Sequence, residues 1–396
     1  MVAVGGLRAT NLARVLTSAL TSEDAPTRAD LAARTGTTRA TATRLVDGLV
    51  AGGLLDELEP DPDLPRRPGR PGTRLAPGRG VAALGLQVDV DRMAAVVVDL
   101  TGAVRSEQVR EEDRRDSAPG PVLDELAELA ATAIEESDGV TVAGACLALP
   151  GIVADGAELL RAPNLGWFDV RPADLLPRLP AGPVPTLGNE AELAAKTVSY
   201  AAPGRPGPHR DFIYLSGSTG IGGAVYLDGH PLRGRHGWAG ELGHVTVDPD
   251  GPACPCGSTG CLEQYAGARA LAAAAGLPET TRTAEIARRA AAGEPPARDA
   301  VERAASALGI ALASVVNVVD VPVIVLGGHL VDLGELLRPT LEATLRRRVL
   351  SAGWDPPRLE VASGHPVAAA LGAAYTELNR LTTDPAAWLR RARPTG

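Results

Sequence analysis

The sequence predicts an α/β protein that carries a small helical domain at its N-terminus. Apolar residues recur at helical spacing up to Gly53, whereas strand-like apolar runs alternate with helical stretches from Val81 onward. Glycine-rich segments such as SGSTGIGG separate several of these runs, as loops do in layered α/β proteins. A chain of 396 residues is also too long for one ordinary core, so we expect two or three domains.

The N-terminal segment predicts three helices. The stretch NLARVLTSAL has the apolar spacing of the first helix. Thr27 and Asp30 form a capping-box signature at the start of the second helix, which Gly36 ends. The third helix is expected to start near Thr38 and to end at Gly52. Two short helices joined by a glycine-containing turn are typical of a helix-turn-helix, and the alternative is a three-helix packing module that does not bind DNA.

In a helix-turn-helix, the second of the two helices enters the major groove of DNA. The first positions of that helix here are short or basic and suit contact with base edges and phosphates, and the candidate contacts are Arg39, Thr41, Thr43 and Arg44. The segment PRRPGRPGTRL then places arginines among prolines and glycines, as in a wing that reaches a minor groove: Arg66, Arg67, Arg70 and Arg74. We interpret residues 1–58 as a winged helix-turn-helix domain and residues 59–79 as wing and linker.

The charge of the chain is unevenly distributed. The net charge is −9, yet residues 1–80 carry 11 arginines and 9 acidic residues, a net charge of +2. Because an acidic body repels nucleic acid, we expect only the N-terminal domain to meet a polyanion such as double-stranded DNA.

Composition also bears on the compartment. The sequence has no run of 18 apolar residues, and its start, MVAVGGLRAT, lacks the charged beginning and apolar core of a signal peptide. We therefore expect a cytoplasmic protein without a membrane partner, in which thiols stay reduced.

The body is predicted from its apolar runs. VAALGLQVDV and MAAVVVDLTGAV are expected to pair as strands, VAGACLALPG is a buried strand, and VPTLGNEAELAAKTVSY is a short strand that runs into a helix. DFIYLSGSTGIGGAVYLDG predicts a strand, a glycine loop and a strand, and VPVIVLGGHL predicts a late buried strand. This length suffices for two α/β lobes, and a cleft between lobes is the default place for a small ligand.

Three of the four cysteines lie in one stretch, GELGHVTVDPDGPACPCGSTGCLE. With a histidine they form the pattern H-x9-C-x-C-x4-C, made of His244, Cys254, Cys256 and Cys261. Zinc favours four tetrahedral sulfur and nitrogen ligands, and three cysteines with one histidine are a common structural set. Because a reducing compartment disfavours a disulfide, we expect a structural zinc, and the alternative is a loop with incidental thiols. Cys146 lies in the apolar stretch GACLALP and is expected in the core.

Further motifs accompany the cysteine stretch: PNLGW (163–167), GNEA (188–191), TGIGG (219–223), GELGH (240–244), CPCGSTGCLE (254–263) and LGG (326–328). On these motifs the sequence resembles the ROK family (repressors, open reading frames and sugar kinases), from about Leu12 to about Asn379. The resemblance implies a two-lobed actin-like (sugar kinase/ribonuclease H-like) body over residues 80–380, with zinc in the second lobe, a sugar in the cleft and a tail over residues 381–396. A winged helix-turn-helix fused to this body resembles the repressors of the family, not its free-standing kinases.

The resemblance also implies a set of sugar-contacting residues: Gly151, Asn164, Asn189, Glu190, Glu241, His244 and Glu263. Carboxylates and amides suit this role, because sugar hydroxyls donate hydrogen bonds to carboxylates and share them with asparagine. A zinc between Glu241 and Glu263 would hold both in fixed geometry, and His244 could bind zinc through one ring nitrogen and sugar through the other. For each glutamate the alternative is a solvated loop charge.

The sequence departs from the family's kinases where those bind ATP. Their turn D-x-G-G-T holds phosphates and metal, and in the aligned stretch LQVDVDR four residues differ: Gln87 replaces the aspartate, Asp89 and Val90 the two glycines, and Asp91 the threonine. A carboxylate in place of glycine repels phosphate. Glu190 stands where the kinases have their catalytic aspartate, and Ser218 interrupts the second phosphate loop. We therefore expect no catalytic residues and no enzyme activity.

Three functions are compatible with these patterns. The leading hypothesis is a sugar-responsive transcriptional regulator, a repressor, that binds operator DNA as a homodimer or a dimer of dimers and a monosaccharide effector in its cleft. The alternatives are an ATP-dependent sugar kinase with an appended DNA-binding domain and a DNA-binding module whose body binds no ligand. The pair Asn189–Glu190, in place of Asn–Asp, resembles xylose-type repressors.

Overall fold

The computed structural model describes residues 4–59, 72–154, 157–176 and 184–391. We call residues 4–59 and 72–79 the head. Its elements are α1 (Val4–Leu20), α2 (Arg28–Thr35), α3 (Arg39–Ala51), β1 (Leu55–Leu58) and β2 (Arg74–Pro77). β1 and β2 pair in antiparallel register and form the base of the wing. The hairpin therefore starts at Leu55, before the boundary at residue 59 that the sequence predicted.

The local signals of the head are confirmed. The hydroxyl of Thr27 accepts a hydrogen bond from Asp30 N and the Asp30 side chain accepts from Thr27 N, so the capping box is complete. Gly36 ends α2 with φ 66°, a conformation that glycine adopts without strain. Thr38 caps α3, accepting from Thr41 N.

The first lobe of the body, lobe I, is a five-stranded sheet in the order β10-β6-β3-β4-β5. Its elements are β3 (Val81–Val88), β4 (Arg92–Asp99), β5 (Val104–Glu111), α4 (Pro119–Glu135), β6 (Thr141–Leu149), β7 (Ile152–Ala154), β8 (Glu158–Ala162), β9 (Trp167–Val170), α5 (Pro172–Leu175), β10 (Thr186–Asn189) and α6 (Glu190–Ser199). The strands β3, β4 and β5 are antiparallel, whereas β6 and β10 run parallel to β3. One face of this sheet packs on α4.

The second lobe, lobe II, repeats this plan in the order β15-β14-β13-β16-β17. The elements from here to the C-terminus are β11 (Tyr200–Ala202), β12 (Arg205–Pro206), β13 (Phe212–Gly217), β14 (Ile221–Leu227), β15 (His230–Pro231), α7 (Glu263–Ala266), α8 (Ala268–Ala274), α9 (Thr283–Ala291), α10 (Pro295–Val319), β16 (Val323–Gly328), α11 (Leu330–Arg348), β17 (Arg358–Val361), α12 (Ala368–Thr383) and α13 (Pro385–Arg391). A 3-10 turn, Leu242–His244, follows the β14–β15 hairpin. The helices α10 and α11 cover the outer face of the sheet.

Two helices, α6 and α12, lie between the two sheets. Side chains of β6, α6, β13, β14, β16 and α12 form one buried cluster beneath the cleft. The helices approach closely, since a Cβ at Gly372 of α12 would lie 1.7 Å from Leu193 O of α6. The two-lobed α/β architecture expected from the resemblance is confirmed.

The head packs on lobe I. Buried residues of α1, α2 and α3 share a single apolar cluster with β3, β4 and α12. The last helix, α13, joins this contact, because Trp388 Nε1 donates a hydrogen bond to Gly52 O at 2.9 Å. The segment interpreted as a tail from residue 381 thus contains the end of α12 and the whole of α13.

Among the described residues one helix, α10, is long and apolar enough to cross a membrane by length and composition. In its most apolar window 56% is buried inside the protein. Residues such as Ala304, Leu308 and Leu312 pack in the core of lobe II, which gives the helix the role of a core helix.

Candidate functional site

The four candidate metal ligands converge. One ligand atom from each of His244, Cys254, Cys256 and Cys261 lies within 4.8 Å of the others. Cys254 Sγ is 3.9 Å from His244 Nδ1, and Cys256 Sγ is 3.7 Å from Cys261 Sγ. In a tetrahedral site with Zn–S bonds of about 2.3 Å, neighbouring sulfurs lie about 3.8 Å apart. The donor set and its spacing therefore fit a zinc ion.

Backbone contacts fold the loop that carries these ligands. Cys254 N donates to Ser258 O at 2.8 Å, and Gly260 N donates to Pro252 O at 2.7 Å. Gly260 has φ 63°, and a Cβ there would lie 1.6 Å from Asp248 O. Only glycine allows this approach, which brings the following Cys261 to its partners.

Asn189 links the strand β10 to the helix α6 at the floor of the cleft. Its Oδ1 caps the helix by accepting from Ala191 N and Glu192 N at 2.9 and 3.1 Å. Its Nδ2 donates to Gly151 O at 3.0 Å. Gly151 has φ 95°, and a Cβ there would lie 2.0 Å from Arg161 O. The cap therefore fixes the amide, and one N–H of Nδ2 remains for a ligand.

Glu190 is the first residue of α6 and is buried. Burial raises the pKa of its carboxyl to about 8, and repulsion from Asp89 and Glu241 adds to the shift. Its Oε2 has no hydrogen-bond partner among the described residues. A Cβ at Gly222 of β14 would lie 2.8 Å from Glu190 Oε1, so this glycine makes room for the Glu190 side chain. A buried acid with a free oxygen is equipped to hydrogen-bond a polar ligand.

Glu241, His244 and Glu263 form a row across the cleft. His244 Nε2 lies 4.0 Å from Glu241 Oε2, and His244 Nδ1 lies 3.8 Å from Glu263 Oε1. Burial raises the pKa of Glu241; the positive field of His244 opposes this shift and Glu263 adds to it. The ring thus turns Nδ1 toward the cysteines and Nε2 toward Glu241. This orientation is the one required to hold zinc on one side and a hydroxyl group on the other.

Two cavities flank this row. A cavity of about 430 Å³ between the lobes is lined by Gly151, Asn189 and Glu241. A cavity of about 240 Å³ is lined by Asn164 and Glu263. Five of the predicted sugar contacts therefore line one cavity or the other, whereas Glu190 and His244 line neither. Their contact with a sugar stays a prediction.

The turn that aligns with the kinases' phosphate turn, residues 87–91, uses two of its own amides in local hydrogen bonds. Asp89 N donates to Arg92 O at 2.7 Å, and Val90 N donates to Asp89 Oδ1 at 2.7 Å. Burial, followed by repulsion from Asp91, raises the pKa of Asp89 to about 6. Both amides at the start of this turn are already bonded within the chain, and an acid stands beside them.

Sequence reasoning missed one wall of the larger cavity, which we call the cleft loop (residues 232–240). Its residues Arg233, Arg235, His236 and Trp238 line the same cavity as Asn189. A signal was available, because the glycine-rich segment GRHGWAG directly precedes the GELGH motif. A tryptophan in such a segment is unusual for a plain connecting loop.

The candidate DNA-contacting residues of α3 differ in exposure, and Thr41 is half-buried with its hydroxyl accepting from Thr38 Oγ1 at 2.9 Å. Arg39, Thr43 and Arg44 are exposed, and the two arginines have no ion pair within the described residues. By contrast, Arg28 of α2 is neutralised by Asp47 at 2.7 Å and Glu57 at 2.6 Å. The exposure and unpaired positive charge of Arg39 and Arg44 are compatible with phosphate or base contacts.

The arginines of the wing divide into two groups. Arg66, Arg67 and Arg70 lie outside the described residues. Arg74 stands at the start of β2, and its Nε donates to Ala25 O at 3.3 Å. This guanidinium is half-buried against the head, which differs from the groove contact expected for it.

Comparisons of the sequence point to one family. Residues 83–379 match the ROK family. The xylose repressor of Bacillus subtilis is 27% identical over 329 residues, which are 82% of this chain and 83% of that protein. N-acetylmannosamine kinase of Salmonella arizonae is 33% identical over 256 residues, which are 63% of this chain and 83% of the kinase.

The similar solved structures also include both a transcriptional regulator and a sugar kinase. A ROK family transcriptional regulator, described as a homologue of the E. coli MLC protein, superposes with a TM-score of 0.71 at 24% identity and covers 96% of this chain and 99% of its own. A ROK family glucokinase from Streptomyces griseus, solved with glucose and AMPPNP, has a TM-score of 0.63 at 30% identity and covers 74% of this chain and 98% of its own. The coverage of the regulator includes the head, whereas that of the glucokinase matches the body in extent. The chain belongs to the ROK family.

Proposed function

We propose that this protein is a sugar-responsive transcriptional repressor of the cytoplasm. The head binds palindromic operator DNA as part of a homodimer or a dimer of dimers, and the cleft binds a sugar effector. The observation that carries the proposal is the fusion of two features: a head that has a helix-turn-helix and a paired β1–β2 hairpin base, and a body in which Asp89 accepts the amide hydrogen bond of the kinase-like turn. The 27% identity to a protein named xylose repressor, over 82% of the chain, supports the same reading.

The cleft is proposed to bind one neutral sugar ring through Asn189, Glu190, Glu241, His244 and Glu263. These side chains offer the acceptors and donors that hydroxyl groups need. The carboxyl groups of Glu241 and Glu263 repel an anion, so a phosphorylated sugar is disfavoured. D-xylose is the first probe to use, given the relative named above.

The metal is proposed to be zinc, held by His244, Cys254, Cys256 and Cys261. When bound, it supplies structure and not chemistry, since four protein ligands close its coordination shell. Its effect on the site is to fix His244 and the neighbouring Glu263.

Replacing Arg44 with alanine is expected to weaken operator binding about ten-fold or more. A lost base or phosphate contact from the recognition helix costs about 1–3 kcal/mol. The operator is first located by footprinting DNA from the protein's own genomic neighbourhood, and its affinity is then measured by fluorescence anisotropy over a range of salt. If Arg44 contacts a phosphate, the log–log salt slope falls by about 0.9.

The matched control is Arg347→Ala, which removes one exposed positive charge from α11 of lobe II. It is expected to keep operator affinity, because long-range charge effects are screened at physiological salt. Equal weakening by both substitutions, or no protected site in the footprint, contradicts the proposed DNA contact.

Mixing the protein with Mg-ATP and a sugar is expected to release no ADP above background. The amides of Asp89 and Val90 are already bonded within the chain, and the Asp89 carboxylate repels a phosphate. A coupled assay with D-xylose, D-glucose and N-acetylmannosamine measures this, with a ROK glucokinase as positive control. Kinases turn over about 1–100 times per second, so a rate in that range decides for the alternative, a sugar kinase with an appended head.

A further inference from the structure

The cavity between the lobes extends well beyond the predicted sugar contacts. Its volume is about 430 Å³. Cavities of about 300–1,000 Å³ accommodate drug-sized ligands, and a single sugar ring is smaller than these. Its lining includes Gly151, Asn189 and Glu241, and also the cleft loop with Thr376 and Arg380 of α12. A single sugar ring held by Asn189 and Glu241 does not fill this volume, so part of the cavity stays available to a second ring.

The cleft loop is held firmly in place. Arg233 makes a two-pronged ion pair with Glu192 of α6, with Nε at 3.0 Å and Nη2 at 2.5 Å from its oxygens. Leu232 N donates to Val225 O at 2.7 Å, and Ala239 N donates to Arg233 O at 3.1 Å. Because Glu192 lies in the first turn of α6, the loop is tied to the helix that Asn189 caps.

Trp238 presents an aromatic surface in this loop. The residue is 45% exposed and lines the cavity. One face stacks on His236, with ring centroids 4.9 Å apart and planes inclined by 30°. Such stacking fixes the ring and leaves apolar surface for a ligand. Arg235, beside it, has no ion pair among the described residues and offers N–H donors to the same space.

An aromatic face with neighbouring hydrogen-bond donors matches the chemistry of a sugar ring. The C–H groups on one side of a pyranose are apolar and pack on an aromatic plane, while its hydroxyls need polar partners at the edge. A phosphate or carboxylate group would use the arginines but not the tryptophan.

We propose that the cleft contains a second sugar subsite, with Trp238 as its stacking platform, so that the preferred effector is a disaccharide or a longer neutral oligosaccharide. This inference rests on the proposed function, since it places the first ring at Asn189 and Glu241. The second ring lies on Trp238, within reach of Arg235 and Arg380.

The test compares each disaccharide with its own monosaccharide. Isothermal titration of the full-length, zinc-containing protein uses two pairs, xylobiose with D-xylose and cellobiose with D-glucose. In at least one pair the disaccharide is expected to bind at least ten-fold more tightly. Trp238→Ala is expected to bring the ratio of disaccharide affinity to monosaccharide affinity close to one. Trp238→Phe is expected to restore most of this ratio. Trp354→Ala, which removes a tryptophan that is 86% exposed outside the cavity, is expected to keep the wild-type ratio.

The outcomes separate the subsite from the proposed function. Equal affinity for both members of each pair overturns the subsite and leaves a sugar-binding regulator in place. A ratio that Trp238→Ala leaves unchanged also overturns it, because the second ring then lies elsewhere. If none of the four sugars binds, the subsite and the sugar-binding part of the proposed function both fail, while operator binding stands on its own measurement.

Discussion

Replacing Cys261 with serine is expected to abolish metal binding and to lower the stability of lobe II. Protein purified without added metal should contain about one zinc per chain, and the variant close to none, because a closed site loses its geometry with one ligand. Cys261 is fully buried, and its loop carries Glu263 directly to the cleft. We expect a loss of about 2 kcal/mol or more, which for a lobe of this size lowers the melting temperature by about 2–4 °C per kcal/mol. Metal analysis and thermal unfolding measure both.

The matched control is Cys146→Ala, which removes a buried thiol in β6 outside the metal group. This variant should keep its zinc. A chelator should reproduce the effect of Cys261→Ser on the wild-type protein. Metal-free protein that melts at an unchanged temperature would rule out a structural zinc.

Replacing Glu190 with glutamine is expected to stabilise the protein at high pH and to have little effect at low pH. The folded pKa of Glu190 is about 8, above the ordinary value of 4.5 that the unfolded chain has. Between these values the folded state keeps a proton that the unfolded state releases. The stability contributed by this carboxyl is therefore fully present below pH 4.5 and is lost as pH rises through 8.

Glutamine cannot ionise. The free energy of unfolding of Glu190→Gln should therefore rise relative to wild type between pH 4.5 and 8, by at most about 1.4 kcal/mol for each pH unit. Urea unfolding at pH 5, 7 and 9 measures the difference between the two proteins. Asp89→Asn is the comparison variant. Because the pKa of Asp89 is raised only from 3.8 to about 6, its pH-dependent gain should end near pH 6. Parallel stability curves for wild type and Glu190→Gln would show that this carboxyl ionises normally.

The parts of the molecule that sequence could predict are those set by neighbouring residues. The capping box of Thr27 and Asp30 needs only a three-residue spacing, and the αL turn at Gly36 needs only glycine. The metal group was predictable for a similar reason, since its three cysteines lie within eight residues in a loop too short to separate them.

The cleft loop and the position of the head depend on contacts between distant residues. Arg233 forms an ion pair with Glu192, 41 residues away in sequence. Trp388 donates a hydrogen bond to Gly52, which is 336 residues away. No periodicity or spacing in a single sequence encodes such pairings. The sequence therefore predicted the head as a domain and α13 as a tail, whereas the head packs on lobe I and α13 packs on α1, α3 and α12. The cleft loop was missed because Arg233 and its ion-pair partner Glu192 lie on different lobes.

The shared core of head and lobe I has a consequence for how a signal could leave the cleft. Because α1, α2 and α3 pack in one cluster with β3, β4 and α12, we expect the head to move with lobe I when the lobes rotate relative to each other. In a symmetric dimer joined through lobe II, closure of the cleft between the lobes would rotate the two DNA-binding heads relative to each other. In a dimer joined through lobe I, the same closure would leave their separation unchanged. Half-sites lie about 34 Å apart along the duplex, so the location of the two-fold contact decides whether a sugar can move the protein off its operator.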